Sequence, residues 1–404
     1  MKRVIPSGIL ASIMLLTAPL AAFAQGYAPA LGGPVEPVRF CGDPVPLQGW
    51  ASAEYLNWWI RGQPTPGPIV TTGDPASPTA GFLFDSSTVV LFGNEDIRMG
   101  SLKGGRITIG GWIDSESITG IEFVGFYLPK RETRFQAASD ATGVPVLALS
   151  ANLLGGGEEV LWAASTIQVA NIAGSIDITT SSQFLGGELN TVFNAWRLPN
   201  DVLEFVVGFR YLNLEEDFLI NYETSFVGAD GKITGHDQFN TRNHFYGPQF
   251  GARWTGGTGR LSLSLAGLIG LGATHQIVGI DGNTTLTGAV LSAPGMVNGF
   301  FYTQPTNIGQ SNHWVFSAVP QVQAKVGFDV LSNVRITFGY DFIAWTNVLR
   351  AANQIDRALN TTQGHPDIFF NGRGALVGDP VPASRPNGTN FWAQGVSGGL
   401  EIRW

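Results

Sequence analysis

The chain has 404 residues, enough for two or three soluble domains or for one large barrel. Charged residues make up 13% against 44% hydrophobic, roughly half the charged share of a soluble domain, and 53 Gly, 26 Phe and 11 Trp suit a sheet that meets lipid better than a water-facing surface. The formal net charge of −8 argues against nucleic acid as a partner, since phosphate contacts need clustered Lys and Arg.

The N-terminus reads as a secretory signal over residues 1–24. Lys2 and Arg3 give a basic start, an apolar stretch runs to Ala22, and Ala22-Phe23-Ala24 places cleavage after Ala24. Pro6, Gly8 and Pro19 interrupt the apolar stretch, which favours cleavage over a retained helical anchor. After it no run of some 18 apolar residues occurs, so helical membrane spans are excluded. Residues 25–48 are rich in Pro, Gly and Ala and read as a linker. The single cysteine, Cys41, lies in that linker as a tolerated thiol and excludes an intramolecular disulfide.

From residue 49 the hydrophobic period is two, the strand signature. In 202–214, Leu203, Phe205, Val207, Phe209 and Tyr211 share one face, while Glu204, Gly208 and Arg210 share the other. The segments 259–275, 314–328 and 333–343 alternate in the same way. A helix would need a period near 3.6. Strands are predicted at about 49–60, 104–114, 117–128, 183–197, 202–214, 240–254, 259–275, 314–328, 333–346 and 391–404. They are joined alternately by short turns (115–117, 198–201, 255–258, 329–332) and long stretches (61–103, 129–182, 215–239, 276–313, 347–390). That alternation predicts an all-β, closed antiparallel transmembrane β-barrel with short periplasmic turns and long external loops. It has about ten strands, or twelve if 129–182 adds a hairpin.

Trp50, Trp59, Trp112, Tyr127, Trp196, Tyr211, Trp254, Trp314, Trp345, Trp392 and Trp404 fall at or near strand boundaries, where an aromatic girdle belongs. The last strand alternates to the final residue through Val396, Gly398, Leu400, Ile402 and Trp404. Such a terminal aromatic strand resembles the signal by which bacterial barrels engage their outer-membrane assembly machinery, and a paired closing strand removes an edge that hydrocarbon cannot satisfy.

Alternation assigns the charges of the strands to the lumen: Glu54, Arg106, Glu122, Glu188, Glu204, Arg210, Arg253, Arg260, Lys325, Arg335, Asp341, Glu401 and Arg403. On the lipid face a midplane Arg or Lys would cost about 2–4 kcal/mol. Lining charges make either a selective conduit or a set of ion pairs that hold a narrow barrel shut. A barrel of about ten strands favours the narrow or plugged lumen, since water channels usually need about sixteen.

Enzyme chemistry finds little support. His275 has the parity of Leu261 and Leu271, whereas Ser262 and Ser264 have that of Arg260, so a serine–histidine pair would point to opposite faces. His236 and Asp237 lack a partner at a metal-ligand spacing, and no phosphate-cradling Gly loop occurs, so no catalytic residue, metal or cofactor is expected. The 215–239 stretch carries Glu215, Glu216, Asp217, Glu223, Asp230 and Asp237 against Lys232, an acidic loop suited to cations or basic partners.

Several motifs resemble those of one family, the putative beta-barrel porin seven family. They are Ala53-Glu54-Tyr55-Leu56-Asn57-Trp58-Trp59, Val70-Thr71-Thr72-Gly73, Gly104-Gly105-Arg106-Ile107-Thr108-Ile109-Gly110 and Gly120-Ile121-Glu122. Further along come Gly208-Phe209-Arg210-Tyr211-Leu212, Thr241-Arg242-Asn243-His244-Phe245-Tyr246-Gly247, Thr274-His275-Gln276, Gln354-Ile355-Asp356 and Phe391-Trp392-Ala393-Gln394-Gly395. The stretch Arg350-Ala351-Ala352-Asn353 departs from the Pro-Gly form expected there. The resemblance implies a surface barrel of planctomycete-type bacteria with no established catalytic mechanism. The functional expectation is an outer-membrane barrel giving a narrow porin-like pore; the alternative is a non-conducting structural or adhesive barrel acting through its external loops.

Overall fold

A computed structural model describes residues 48–404 except 155, 167–170, 370 and 371. The signal segment with Ala24, the linker up to residue 47 and Cys41 lie outside the described residues.

The strands are β1 (Gly49–Ile60), β2 (Pro68–Thr72), β3 (Val89–Gly93), β4 (Ser101–Trp112), β5 (Thr119–Ala138), β6 (Leu147–Leu153), β7 (Glu158–Ala164) and β8 (Ile172–Arg197). Then follow β9 (Asp201–Phe226), β10 (Lys232–Thr258), β11 (Leu261–Thr287), β12 (Gly295–Asn298), β13 (Gly309–Asp329), β14 (Val334–Leu349), β15 (Ala358–Leu359) and β16 (Gly388–Arg403). Ten of them form an antiparallel ring in the order β1-β4-β5-β8-β9-β10-β11-β13-β14-β16, and β16 pairs back onto β1. Gly49 and Trp404 bond each other's backbone at the seam of first and last strand. No helix among the described residues is long and apolar enough to cross a membrane.

Period-two alternation builds this ring because each strand has one face to lipid and one to the interior. Phe205, Val207 and Phe209 on β9, Leu263 and Leu265 on β11, Phe338 and Tyr340 on β14, and Val396, Leu400, Ile402 and Trp404 on β16 are all exposed to the outside. Trp196, Trp254 and Trp404 edge this belt below; Trp59, Tyr127, Tyr246 and Trp314 edge it above. Ten residues separate the level of Trp404, beside Gly49, from Trp59 on β1. At about 3.4 Å per residue and a tilt of about 40° they span roughly 25 Å, the height of a lipid-facing band.

The girdle differs from the expected one at three positions. Trp50 points inward and its Nε1 donates to Glu122 at 3.0 Å, Trp112 lines the interior, and Trp345 is fully buried inside. Position along the strand does not report the face; parity does.

The ring strands outrun the membrane. β8 to β11 have 26, 26, 27 and 27 residues where about ten suffice to cross. The expected 215–239 loop is therefore strand on both sides of a turn at 227–231. The 129–182 stretch adds a hairpin, β6–β7, but not to the ring. It joins β15, β2 and β3 in a second, five-stranded sheet. This cap sheet packs on the inward faces of the extended strands in one core that includes Ile69, Leu147, Leu149, Ile178, Phe218, Ile220, Phe239, Ile280 and Phe301. A fully buried side chain of this kind contributes about 1.5–3 kcal/mol.

Candidate functional site

The lumen has three levels, the uppermost filled by the cap sheet. The lowest, beside the short turns and the Gly49–Trp404 seam, is crossed by ion pairs. Arg106 on β4 bonds Glu54 on β1 and reaches Asp341 on β14 at 2.7 Å. Lys325 on β13 meets the other Glu54 oxygen at 2.6 Å. Arg253 on β10 reaches Glu122 on β5 at 2.6 Å and Glu204 on β9 at 3.7 Å. Arg210 on β9 bonds Glu188 on β8 at 2.8 Å and Gln321 on β13 at 2.5 Å. Several of these struts join strands three places apart around the ring, so they brace the lumen across its width. Between them lies a cavity of about 390 Å³.

Of the other charges assigned by alternation, Arg335 pairs with Asp329 at 2.7 Å and Arg403 with Glu401 at 2.5 Å at the mouth of this cavity. Arg260 is different. It sits exposed in the turn between β10 and β11 and does not line the lumen. Gly259, at φ +59, and Arg260 form the turn itself, and β11 begins only at Leu261, so the strand alternation does not extend to Arg260.

The middle level is apolar. Leu56 and Trp58 (β1), Leu102 (β4), Leu128 (β5), Phe184 (β8), Leu212 and Leu214 (β9), Phe245 (β10), Val319 (β13), Trp345 (β14) and Phe391 (β16) are buried there. Thr274 of β11 completes the ring; it accepts from Trp345 Nε1 at 2.9 Å and bonds Ser317 at 2.7 Å. All ten strands thus turn a buried side chain inward at this level.

One strand closes it further. The β13–β14 ladder stops at Gln321–Ile343, although β13 runs on to Gly309 and β14 to Leu349. Ala318 N and Phe316 O face β14 and are met only by the side chains of Thr346 and Asn347. Pro320, on the same parity, has no N–H to offer. Freed from β13, β14 bends at Asn347 (φ 57) into the lumen. There Asn243 of β10 bonds both the N–H and the carbonyl of Leu349 at 2.8 Å, and Gln276 of β11 donates to Asn347 O at 2.6 Å. The next residue, Arg350, is fully buried against Glu216 of β9 at 2.7 Å and also donates to the carbonyls of Arg61 and Gly62.

The Arg350–Glu216 pair was not legible as a site. Glu216 has the inward parity of Leu212 and Leu214, which was a usable signal, but nothing near Arg350 in sequence marks its partner. The acids expected on one loop are dispersed instead. Asp217 faces outward to Lys130 at 3.2 Å, Glu223 pairs with Lys232 at 2.9 Å, and Asp237 points into the cap. Alternation along a strand separates neighbours that a loop would have gathered. Asp237 accepts from Tyr302 N, Thr303 N and Thr303 Oγ1 at 2.6–3.0 Å. It lies nine residues beyond Tyr246, outside the lipid band, and burial pushes its carboxyl up to about 6. His275 stacks on Trp314 on the outer surface while Ser262 and Ser264 line the cavity, so no serine–histidine pair forms. No group of metal ligands occurs among the described residues.

Ten paired strands, an outward apolar band with aromatic edges and a charged interior define a β-barrel of the bacterial outer membrane. The chain belongs to the family described as Putative beta barrel porin-7, whose model matches residues 50–404. No curated protein matches it. Solved structures similar to it include the outer membrane protease OmpT from Escherichia coli, at TM-score 0.43 and 9% identity over 89% of this chain and 97% of that one. A Pseudomonas aeruginosa FadL homologue matches at TM-score 0.21 and 6% identity, over 89% of this chain and 90% of that one. An anion-selective porin from Comamonas acidovorans matches at 0.17 and 9%, over 87% and 100%. The strand pairings and the family match carry the fold.

Proposed function

We propose that this outer-membrane barrel is non-conducting at rest and acts through the packed cap it holds outside the membrane. The observation that carries the reading is the middle level of the lumen, where every ring strand contributes a buried inward side chain and the end of β14 crosses the bore. Water and ions have no continuous route through such a layer, and conduction would require β14 and the cap to move together. The reading assigns no catalytic step. Bilayer recording of the purified protein tests it: the expected result is no current above leak at neutral pH. Reproducible single-channel steps from the intact chain would overturn it in favour of a narrow pore.

A further inference from the structure

The lower cavity has an excess of cations in its lining. Of the charged residues that line it, six are Arg or Lys and four are Glu, and in two of its struts the acid is also the deeper partner. Lys325 is 21% exposed against 2% for Glu54, and Arg253 27% against 3% for Glu122. At the mouth Arg403 is 47% exposed and Glu401 23%. Arg197, at the same mouth, forms no ion pair among the described residues; its guanidinium lies over Trp112 at 5.7 Å. The lining is therefore positive on balance, with Lys325 and Arg253 more exposed than the acids they pair with. A concave, low-dielectric wall focuses such a field.

A second, independent feature lies in the same wall. Thr337 is 5% exposed, its hydroxyl has no hydrogen-bond partner, and it faces the cavity. A buried hydroxyl left unmade costs about 1–3 kcal/mol, so an occupant with acceptor oxygens would recover that cost. The space closes at the apolar level above and opens beside the short turns, which is the periplasmic end of a barrel. Its volume of about 390 Å³ equals that of roughly a dozen waters at about 30 Å³ each, room for a small organic molecule and not for a polymer.

We propose that this blind chamber is a binding site for a small soluble polyanion, bearing carboxylates or phosphates, that enters from the periplasm. Arg197 and Arg403 meet the anion at the mouth, Lys325 and Arg253 hold it inside, and Thr337 donates its hydroxyl. The same chemistry is carried by anionic lipid headgroups of the inner leaflet, and the experiment separates the two.

Titration calorimetry on the folded barrel in an uncharged detergent, with citrate and with inorganic phosphate as probes, should show saturable binding that weakens as salt rises. Glucose should not bind. Arg197→Ala should weaken citrate about tenfold and Thr337→Val severalfold, both in barrels whose circular dichroism and heat-dependent gel mobility match the parent. Arg260→Ala removes a cation from a turn at the same end but outside the cavity, and should change the affinity less than twofold. The proposal fails if neither probe saturates by 10 mM (roughly the weak limit of specific binding) at low salt. It fails equally if Arg260→Ala weakens binding as much as Arg197→Ala, which would mean surface charge alone. Binding seen only in bilayers containing phosphatidylglycerol would replace the soluble anion with a headgroup and overturn it as stated.

Discussion

The two halves of the lumen are built by the same ten strands on opposite plans. In the lower half each strand supplies its own interior: Arg106, Glu54 and Asp341, or Arg253 and Glu122, reach one another across the bore with no help from connections. In the upper half the strands supply only one side of a core. The other side comes from segments between strands, the cap sheet and the inward end of β14. Charges bridge a wide gap because their side chains are long and attract at a distance, so ring strands alone suffice below. Apolar side chains act only in contact, so the upper bore has to be filled by added chain.

That contrast can be broken from either side. The largest effects should come from removing one member of a buried pair. Arg106→Ala leaves Asp341 without its cation and should cost about 3–5 kcal/mol of whole-barrel stability, read as one cooperative shift in thermal unfolding. Arg350→Ala strands Glu216 at a similar cost of about 3–5 kcal/mol, but the loss should fall on the cap. Limited proteolysis should then cut within 61–100 and 350–387 while the ring keeps its heat resistance. If both variants lose stability as a single unit, the two halves are not separable.

A smaller effect tests the boundary between them. Trp345→Phe keeps an aromatic ring in the apolar level but removes the hydrogen bond to Thr274, which keeps Ser317 as a partner. The expected cost is about 1 kcal/mol without loss of the seal. New conductance in that variant would place the barrier at Trp345 rather than across the whole layer.

The smallest effect is a pH dependence confined to the cap. Because Asp237 sits above its ordinary value, at about 6, its neutral form is the one that folding favours. Its contribution is complete below about 4, the ordinary aspartate value, and is lost as pH rises through about 6. Hydrogen exchange at 300–304, corrected for intrinsic rates, should show more frequent opening at pH 7.5 than at pH 4.5. Protection that instead increases with pH would show that the three donors at Asp237 outweigh its burial.

Parity read from sequence located the ring well. The outward Phe205, Val207 and Phe209 and the outward Val396, Leu400, Ile402 and Trp404 follow from period-two alternation alone. It did not find strand length, because beyond the lipid band the extended strands change composition. Residues 215–239 are polar on the outside and mixed inside, so they read as a loop although backbone pairing continues to Phe226 and resumes at Lys232. Arg260 failed for a local reason: it belongs to the turn before β11, where strand alternation has not begun. Trp345 failed because closeness to a strand end was taken as girdle, when its parity with Ile343 puts it inside.

The sequence by itself determined the membrane-facing barrel. A two-residue period, short and long connections in turn, and aromatic edges to the apolar face are properties of neighbouring residues, and lipid on one side leaves them a single architecture. Which charges pair, where β14 leaves the wall and how the cap seats in the upper bore were decided only in three dimensions. Arg350 and Glu216 are 134 residues apart, and Arg106 and Asp341 235. Contacts of that separation exist only after the ring has closed and set which strands face each other across the lumen.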